Sequence, residues 1–132
     1  MQSGAQPGQA GYGEWAQRTG EEKVLAGICH LSYVLFIFPV IIPLIVWLVK
    51  GRSSRYIGFH AMQCLLAHLA PTVFVIVGII TAVLLIGIPI LAASIVAYAV
   101  LWFVELAGTI VCFGGGEFRI PLCAAWADEI VK

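Results

Sequence analysis

Three long apolar stretches run along the chain, separated by short groups of polar, charged or turn-forming residues. They cover residues 24–49, about 57–85 and 90–113. A helix of about 20 apolar residues is long enough to cross the hydrocarbon core of a bilayer. The pattern therefore predicts an all-α integral membrane protein.

The first stretch is too long for one straight helix across a membrane. As a helix it would extend about 39 Å, against a hydrocarbon thickness of about 30 Å, and Pro39 and Pro43 lie inside it. Proline removes a backbone donor and clashes with the preceding turn. We expect either one kinked helix or two short helices, 24–38 and 41–49, folded back as a hairpin.

The second and third stretches predict an antiparallel helical hairpin. The uncharged sequence Gly87-Ile88-Pro89 lies between them and is typical of a tight turn. With the first stretch divided in two, the expected fold is a bundle of about four membrane helical segments. The first two segments are short and broken by proline.

The basic residues favour the divided form of the first stretch. All seven flank the apolar stretches: Arg18, Lys23, Lys50, Arg52, Arg55, Arg119 and Lys132. A single span would place the first two on the opposite side from the next three. A hairpin leaves all seven on one side, which the positive-inside rule identifies as the cytoplasm. We therefore predict a multi-pass protein of the bacterial inner membrane with both termini cytoplasmic.

Composition excludes several other classes of protein. The apolar share is 61%, the charged share is 11%, and the formal net charge is zero. A soluble domain of this size could not bury so much apolar surface, and the charge gives no basis for binding nucleic acid. The expected partners are the lipid bilayer and other membrane protein subunits, or further copies of the chain.

Three regions differ in composition. Residues 1–20 are rich in Gly and Gln and predict a flexible tail, without the basic start and apolar run of a signal peptide. Residues 21–122 contain the predicted membrane helices. Residues 123–132 predict a short C-terminal interfacial segment.

A polar face is predicted on the third apolar stretch. At about 100° per residue, its polar side chains fall on one side of the helix; they are Ser94, Tyr98, Glu105, Thr109 and Cys112. His30 and His68 lie at a similar depth, so a buried pair of histidine and Glu105 is expected. Glu105 could instead be a hydrogen-bonded structural carboxyl group, part of a proton or substrate pathway, or a carboxylate at the lipid interface.

Two polar residues begin the second stretch, His60 and Gln63, and they share one helical face. We expect His60 or Gln63 to hydrogen-bond groups of the first hairpin, acting as a structural clamp. Imidazole is also a common haem ligand, so ligation of haem or chlorophyll by His30, His60 or His68 is the alternative. No haem-attachment motif is present, and no cofactor is predicted.

The cysteines do not predict a metal or redox site. None of the four forms a CxxC pair, so we expect small buried apolar side chains; they are Cys29, Cys64, Cys112 and Cys123. The sequence also contains no legible pairing of a nucleophile with an activating base. An enzyme is therefore not expected.

Several short blocks resemble the Tic-twenty-like family of small bacterial membrane proteins. They are Glu22-Lys23-Val24-Leu25-Ala26, His30-Leu31-Ser32, Ile42-Pro43-Leu44-Ile45-Val46-Trp47-Leu48, Phe59-His60-Ala61-Met62-Gln63 and Gly116-Glu117-Phe118-Arg119-Ile120-Pro121. The resemblance implies a bundle of about four membrane helices and a relation to a protein-import component of the chloroplast inner envelope. The chain departs from the family where Ile120-Pro121 replaces a Tyr-Pro pair.

The function expected from these features is non-catalytic. An integral membrane protein of this kind is most simply a small accessory or scaffold subunit of a larger membrane complex. The alternative is a channel or protein-translocation component that acts as a homo-oligomer and uses the polar face around Glu105.

Overall fold

The computed structural model describes residues 18–131, and all regular secondary structure in this part is helical. The elements are α1 (Gly20–Val34), α2 (Ile41–Lys50), α3 (Arg55–Thr81), a 3₁₀ turn (Ala82–Leu84), α4 (Gly87–Phe113) and α5 (Cys123–Ile130). The predicted tail, apart from residues 18–20, and Lys132 lie outside the described residues. The all-helical prediction is confirmed for the part described.

Helix α1 begins at a capping box. The Thr19 hydroxyl accepts a hydrogen bond from the Glu22 amide, and the Glu22 carboxylate accepts one from the Thr19 amide. This reciprocal arrangement satisfies two amides that the helix itself cannot pair. The start of α1 is therefore defined by local sequence.

The first apolar stretch forms two helices, α1 and α2, joined by residues 35–40. Helix α1 ends at Val34, earlier than the expected limit of residue 38. Phe36 and Phe38 take left-handed backbone conformations, with φ of 54° and 46°. Phe38 precedes Pro39, and a residue before proline is disfavoured in the helical region, so the chain leaves the helix before the proline. At the other end of the pair, Lys50 Nζ lies 2.7 Å from Glu21 Oε1.

Among residues 18–131, two stretches of helix are long and apolar enough to cross a membrane, Arg55–Leu84 and Gly87–Phe113. Only 28% and 11% of their most apolar windows are buried inside the protein. The core helix of a soluble protein would be mostly covered, whereas these surfaces expose Ile, Val, Leu and Phe side chains. Lipid is the solvent that suits such a surface.

The connection between α3 and α4 differs from the predicted turn. Gly87-Ile88-Pro89 already forms the first turn of α4, and the chain reverses just before it, where Leu85 has φ of 60°. Proline is tolerated in a first helical turn because the amides there have no partner in the helix. The predicted turn at residues 87–89 is therefore wrong by a few residues.

Contacts between α3 and α4 pair the late residues of one helix with the early residues of the other. Gly78 packs against Leu91, and the hydroxyls of Thr72 and Tyr98 lie 2.9 Å apart. Helix α5 covers the first turns of α3, where Ala124 and Ala127 join Phe59 and Met62 in a buried apolar cluster. The buried apolar clusters therefore surround the first turns of α3, where α5 and Trp47 of α2 pack on one cluster and Ala26 of α1 and Cys112 of α4 belong to another.

Candidate functional site

Two histidines and a glutamate meet between α1, α3 and α4. His30 Nδ1 contacts Glu105 Oε2 directly, and His68 Nε2 lies 3.2 Å from Glu105 Oε1. The three side chains are 0–1% exposed. The sequence placed His30 and His68 at a similar depth to Glu105, and the structure brings all three together. Because Glu105 is fully buried in protein, the structure excludes a carboxylate at the lipid interface.

Each histidine also uses its second ring nitrogen. His30 Nε2 lies 3.3 Å from His60 Nδ1, and His68 Nδ1 donates a hydrogen bond to the Pro39 carbonyl oxygen at 2.6 Å. A backbone carbonyl can only accept, so Nδ1 of His68 carries the proton in that bond. The cluster thus connects the turn between α1 and α2 with the interior of α3.

Two thiols complete the cluster. Cys64 Sγ lies 3.3 Å from His30 Nδ1 and 3.9 Å from Glu105 Oε2, and Cys112 Sγ lies 3.5 Å from His60 Nδ1. Both cysteines are fully buried. The sequence predicted them only as small apolar residues, because their imidazole neighbours are more than thirty positions away in the chain.

Packing fixes the two rings that face Glu105. Tyr33 stacks on His68 with ring centroids 4.4 Å apart, and Phe118 meets His30 edge-on at 5.7 Å. Gly108 lies against His30, since a Cβ at this position would come within 2.7 Å of Nδ1. These contacts restrict the histidines to one arrangement.

Other residues of the predicted polar face lie beside the cluster. The Thr109 hydroxyl donates to the Glu105 backbone carbonyl within α4 at 2.8 Å, and the Tyr98 hydroxyl pairs with Thr72. Ser94 likewise donates to a carbonyl of its own helix. They lie on the same side of α4 as Glu105, but the hydrogen bonds that they form within residues 18–131 do not reach its carboxylate.

Gln63 bonds a different part of the chain from His60. Its Nε2 donates to the Phe118 carbonyl at 3.0 Å, and its Oε1 accepts from the Ile120 amide at 2.9 Å. Gln63 therefore holds the segment that leads into α5, and not the first hairpin. This segment has no regular hydrogen bonding of its own, so its backbone groups take partners from α3. His60 is the member of the pair that reaches α1, through His30.

A second polar region lies where the helix ends meet, and we call it the charged end. It comprises Glu21, Glu22, Lys50, Ser54, Arg55, Glu117, Arg119 and Asp128. A hydrogen bond from the Ser54 hydroxyl lowers the pKa of the Glu22 carboxyl group, as does one from the Thr19 amide. Hydrogen bonds to Glu117 and Asp128 raise the pKa of Arg119. These contacts tie α1, α2, α3 and α5 together at one end.

A sequence model of the magnetosome magnetite crystal formation protein family, MamF and MmsF, matches residues 21–127. The chain belongs to the MamF/MmsF family. The match covers all five helices almost completely. No curated protein and no solved structure matches the chain.

MamF/MmsF membership corrects the resemblance to the Tic-twenty-like family, which is wrong. The blocks behind that resemblance are only three to seven residues long, and their apolar positions are of the kind that lipid selects in any multi-pass protein. Only a match over the whole membrane domain separates one helical family from another. MamF/MmsF proteins are non-enzymatic membrane proteins, which confirms the prediction that the chain is not an enzyme.

Proposed function

We propose that this MamF/MmsF protein is a multi-pass accessory or scaffold subunit of the magnetosome membrane that acts in magnetite crystal formation. The observation that carries the proposal is the match to the family over residues 21–127. The involvement in magnetite crystal formation is inferred from the family description. The scaffold role is inferred from the distribution of polar and apolar side chains.

The exterior of the long helices is suited to lipid or to other membrane helices. On α4, Ile95, Val96 and Phe103 are 63–69% exposed, while Glu105 on the opposite side is buried. A channel formed by several copies needs polar side chains on the surface that lines its pore. Glu105 and its partners are enclosed within one chain, which favours a scaffold over a homo-oligomeric channel.

The proposed topology has four membrane segments with both termini on the cytoplasmic side. Two contacts support it: Lys50 at the end of α2 meets Glu21 at the start of α1, and Cys112 near the end of α4 meets His60 near the start of α3. Each pair then enters and returns as a hairpin. Residues 21–122 form the membrane domain, and α5 lies in the interface, where Trp126 is exposed.

Within this domain the buried polar side chains have a structural role. His30, His68 and Glu105 join three helices, while Gln63 fixes the segment before α5. A buried network that is almost fully paired specifies one arrangement of helices, whereas apolar packing between membrane helices is less directional.

Purification from magnetosome membranes in mild detergent tests the scaffold role. We expect the full chain to elute with a reproducible set of other membrane proteins, identified by mass spectrometry, and a deletion strain to form magnetite crystals of altered size or number. A homo-oligomer that conducts ions in liposomes would replace the scaffold by a channel. Normal crystals in the deletion strain would contradict the proposed process.

Reporter fusions test the topology separately. A reporter before Thr19 and another after Lys132 should fall on the cytoplasmic side, and one inserted between Leu85 and Ile86 on the far side. Fusions at the two ends that report opposite sides would contradict the two-hairpin arrangement.

A further inference from the structure

Three potential metal ligands converge in the interior of the bundle. Nδ1 of His30, Sγ of Cys64 and a carboxylate oxygen of Glu105 all lie within 4.8 Å of one another, and all three residues are fully buried. They come from α1, α3 and α4, so the fold, and not one local motif, brings them together. Nitrogen, thiolate and carboxylate ligands are the set that zinc and its neighbours in the first transition row accept.

We propose that His30, Cys64 and Glu105 bind one divalent first-row transition-metal ion, with Nε2 of His68 as the fourth donor. The ion would link the three helices that the polar cluster already joins. This inference does not depend on the scaffold role.

Two buried atoms lack the hydrogen bonds that such atoms normally have. Nε2 of His68 and Oε1 of Glu105 face each other at 3.2 Å, yet neither forms a hydrogen bond of acceptable geometry within residues 18–131. Because Nδ1 of His68 donates to the Pro39 carbonyl, Nε2 carries a lone pair whenever the ring is uncharged. Two lone pairs then face each other in a buried site, and a cation between them removes the repulsion.

The outer contacts match those of metal-bound histidines. Such a histidine usually donates its other N–H to a carbonyl or another acceptor, which holds the ring in place. His68 donates to the Pro39 carbonyl in this way. His30 has His60 Nδ1 at 3.3 Å from its Nε2, so a proton on Nε2 leaves Nδ1 available to the ion.

Charge balance also favours a divalent ion. A bound ion deprotonates the Cys64 thiol, so one thiolate and the Glu105 carboxylate supply two negative charges to two positive ones. The histidines remain neutral. A site with zero net charge is the arrangement that a low-dielectric membrane interior tolerates best.

The distances among His30, Cys64 and Glu105 need only a small adjustment, whereas His68 lies outside this group of ligand atoms and must move toward the ion to bind it. Ligand atoms around a tetrahedral zinc ion lie about 3.3–3.6 Å apart. Sγ of Cys64 is 3.3 Å from His30 Nδ1 and 3.9 Å from Glu105 Oε2, while His30 and Glu105 are in direct contact. That last pair must separate by roughly 1 Å when the ion enters.

Cobalt titration of the purified full chain, without an affinity tag and stripped with a chelator, tests the proposal. We expect one Co²⁺ per chain, with the intense visible bands of a four-coordinate site and a near-ultraviolet band from thiolate-to-cobalt charge transfer. Zn²⁺ should displace the cobalt. Failure of the chain to bind Co²⁺ above a buffer control would overturn the proposal and leave protons to satisfy the cluster.

Matched variants assign the ligands. Cys64→Ser should abolish the charge-transfer band, and His68→Ala, which removes a direct ligand, should weaken Co²⁺ binding at least as much as loss of an outer contact, about 10–100-fold, while keeping the band. Cys123→Ser, a half-buried cysteine of α5 outside the cluster, should leave both unchanged. Loss of the band in Cys112→Ser, with Cys64→Ser unaffected, would place the ion between His30, His60 and Cys112 and overturn this assignment.

A measurement on the unaltered chain keeps the proposal testable if a variant does not fold. Zinc K-edge absorption of the zinc-loaded protein should show one sulfur neighbour at about 2.3 Å and nitrogen or oxygen neighbours at about 2.0 Å. A zinc spectrum without sulfur would contradict the involvement of Cys64.

Discussion

Carboxylates meet basic side chains in two regions of this protein, and the surroundings of the two regions differ. In the interior, Glu105 contacts His30 and His68, and all three are shielded from solvent and lipid. At the charged end, the side chains of Glu21 and Lys50 form a pair at 2.7 Å while remaining 59% and 44% exposed. The contacts are chemically similar, but only one region excludes solvent.

This difference determines what each region contributes. Two exposed charges are well solvated by water whether or not they pair, so the net contribution of an exposed ion pair to stability is small. A buried polar group cannot turn to water when its partner is removed, so it then carries the full free-energy cost of its desolvation. We therefore expect the interior cluster to govern stability and helix arrangement. The charged end should mainly govern which side of the membrane it occupies.

The largest effect should follow from removal of the buried carboxylate. Glu105→Leu leaves Nδ1 of His30 without its carboxylate partner, and we expect a loss of about 3 kcal/mol in unfolding free energy. Glu105→Gln keeps an acceptor and a donor in place and should lose about 1 kcal/mol. Thermal unfolding in mild detergent, followed by circular dichroism, measures both. Val96→Leu, on the 63% exposed lipid side of α4, is the control. Equal stability of Glu105→Leu and Glu105→Gln would show that the buried carboxylate contributes no more to stability than the exposed ion pairs do.

The next largest effect should follow from loss of the Gln63 side chain. Gln63→Ala breaks two hydrogen bonds to the segment before α5 and opens a small cavity, for a loss of about 2 kcal/mol. Hydrogen exchange of the amides at residues 117–121 should accelerate. Thr81→Ala, which removes a hydroxyl bonded within its own helix, should leave that exchange unchanged. Unaltered exchange in Gln63→Ala would show that α5 docks without this side chain.

A smaller effect should come from filling the space beside His30. In Gly108→Ala the new methyl group would lie 2.7 Å from His30 Nδ1 and 2.9 Å from a Phe118 ring carbon. The free-energy cost of overpacking should exceed the gain from the higher helix propensity of alanine, so we expect a net loss of about 1 kcal/mol in unfolding free energy, measured by thermal unfolding. Gly20→Ala has nothing within 4 Å of its Cβ and is the matched control. A stabilised Gly108→Ala would show that the interior is less tightly packed than the distances indicate.

The smallest effect should be found at the charged end. Lys50→Ala should lower the free energy of unfolding by less than about 1 kcal/mol, and added salt should reduce the difference further.

The same region should show a pH dependence. Since hydrogen bonds from Ser54 and Thr19 lower the pKa of Glu22 below its ordinary value, ionised Glu22 stabilises the fold at pH values above that ordinary pKa. The contribution is lost as pH falls through the lowered pKa. Melting temperatures between about pH 7 and about pH 3 should therefore fall less in Glu22→Gln than in the native chain.

A loss of stability in Lys50→Ala as large as that in Glu105→Leu would contradict the expected difference between the charged end and the interior.

Hydropathy and proline positions predicted helices α1 to α4, though not α5, because both signals depend on residues close together in sequence. Pro39 and Pro43 indicated that the first stretch breaks, and the 100° spacing placed Glu105 on the buried side of α4. The turn near Gly87 was misplaced by a few residues because proline occurs both in turns and in first helical turns. Local sequence does not show whether Pro89 lies in a turn or in the first turn of a helix.

Partners within the site were less predictable because they come from different helices. His68 could be placed opposite Glu105 by counting along the predicted hairpin, but the approach of Cys64 to His30 depends on how α1 rotates and packs. The bonds from Gln63 to Phe118 and Ile120 could not be predicted, because no signal in residues 114–122 indicates that this segment folds back over α3. Irregular segments have no periodicity from which a partner can be inferred.

Helices α3 and α4 each contain 27 residues and extend about 40 Å, whereas the hydrocarbon layer measures about 30 Å. Hydrophobic mismatch of this size is accommodated by tilt, by extension of the helix ends into the headgroup layer, or by local thickening of the bilayer. Each response costs free energy that depends on the host membrane. Bilayer thickness thus becomes a variable that can sort this protein between the cell membrane and a specialised compartment.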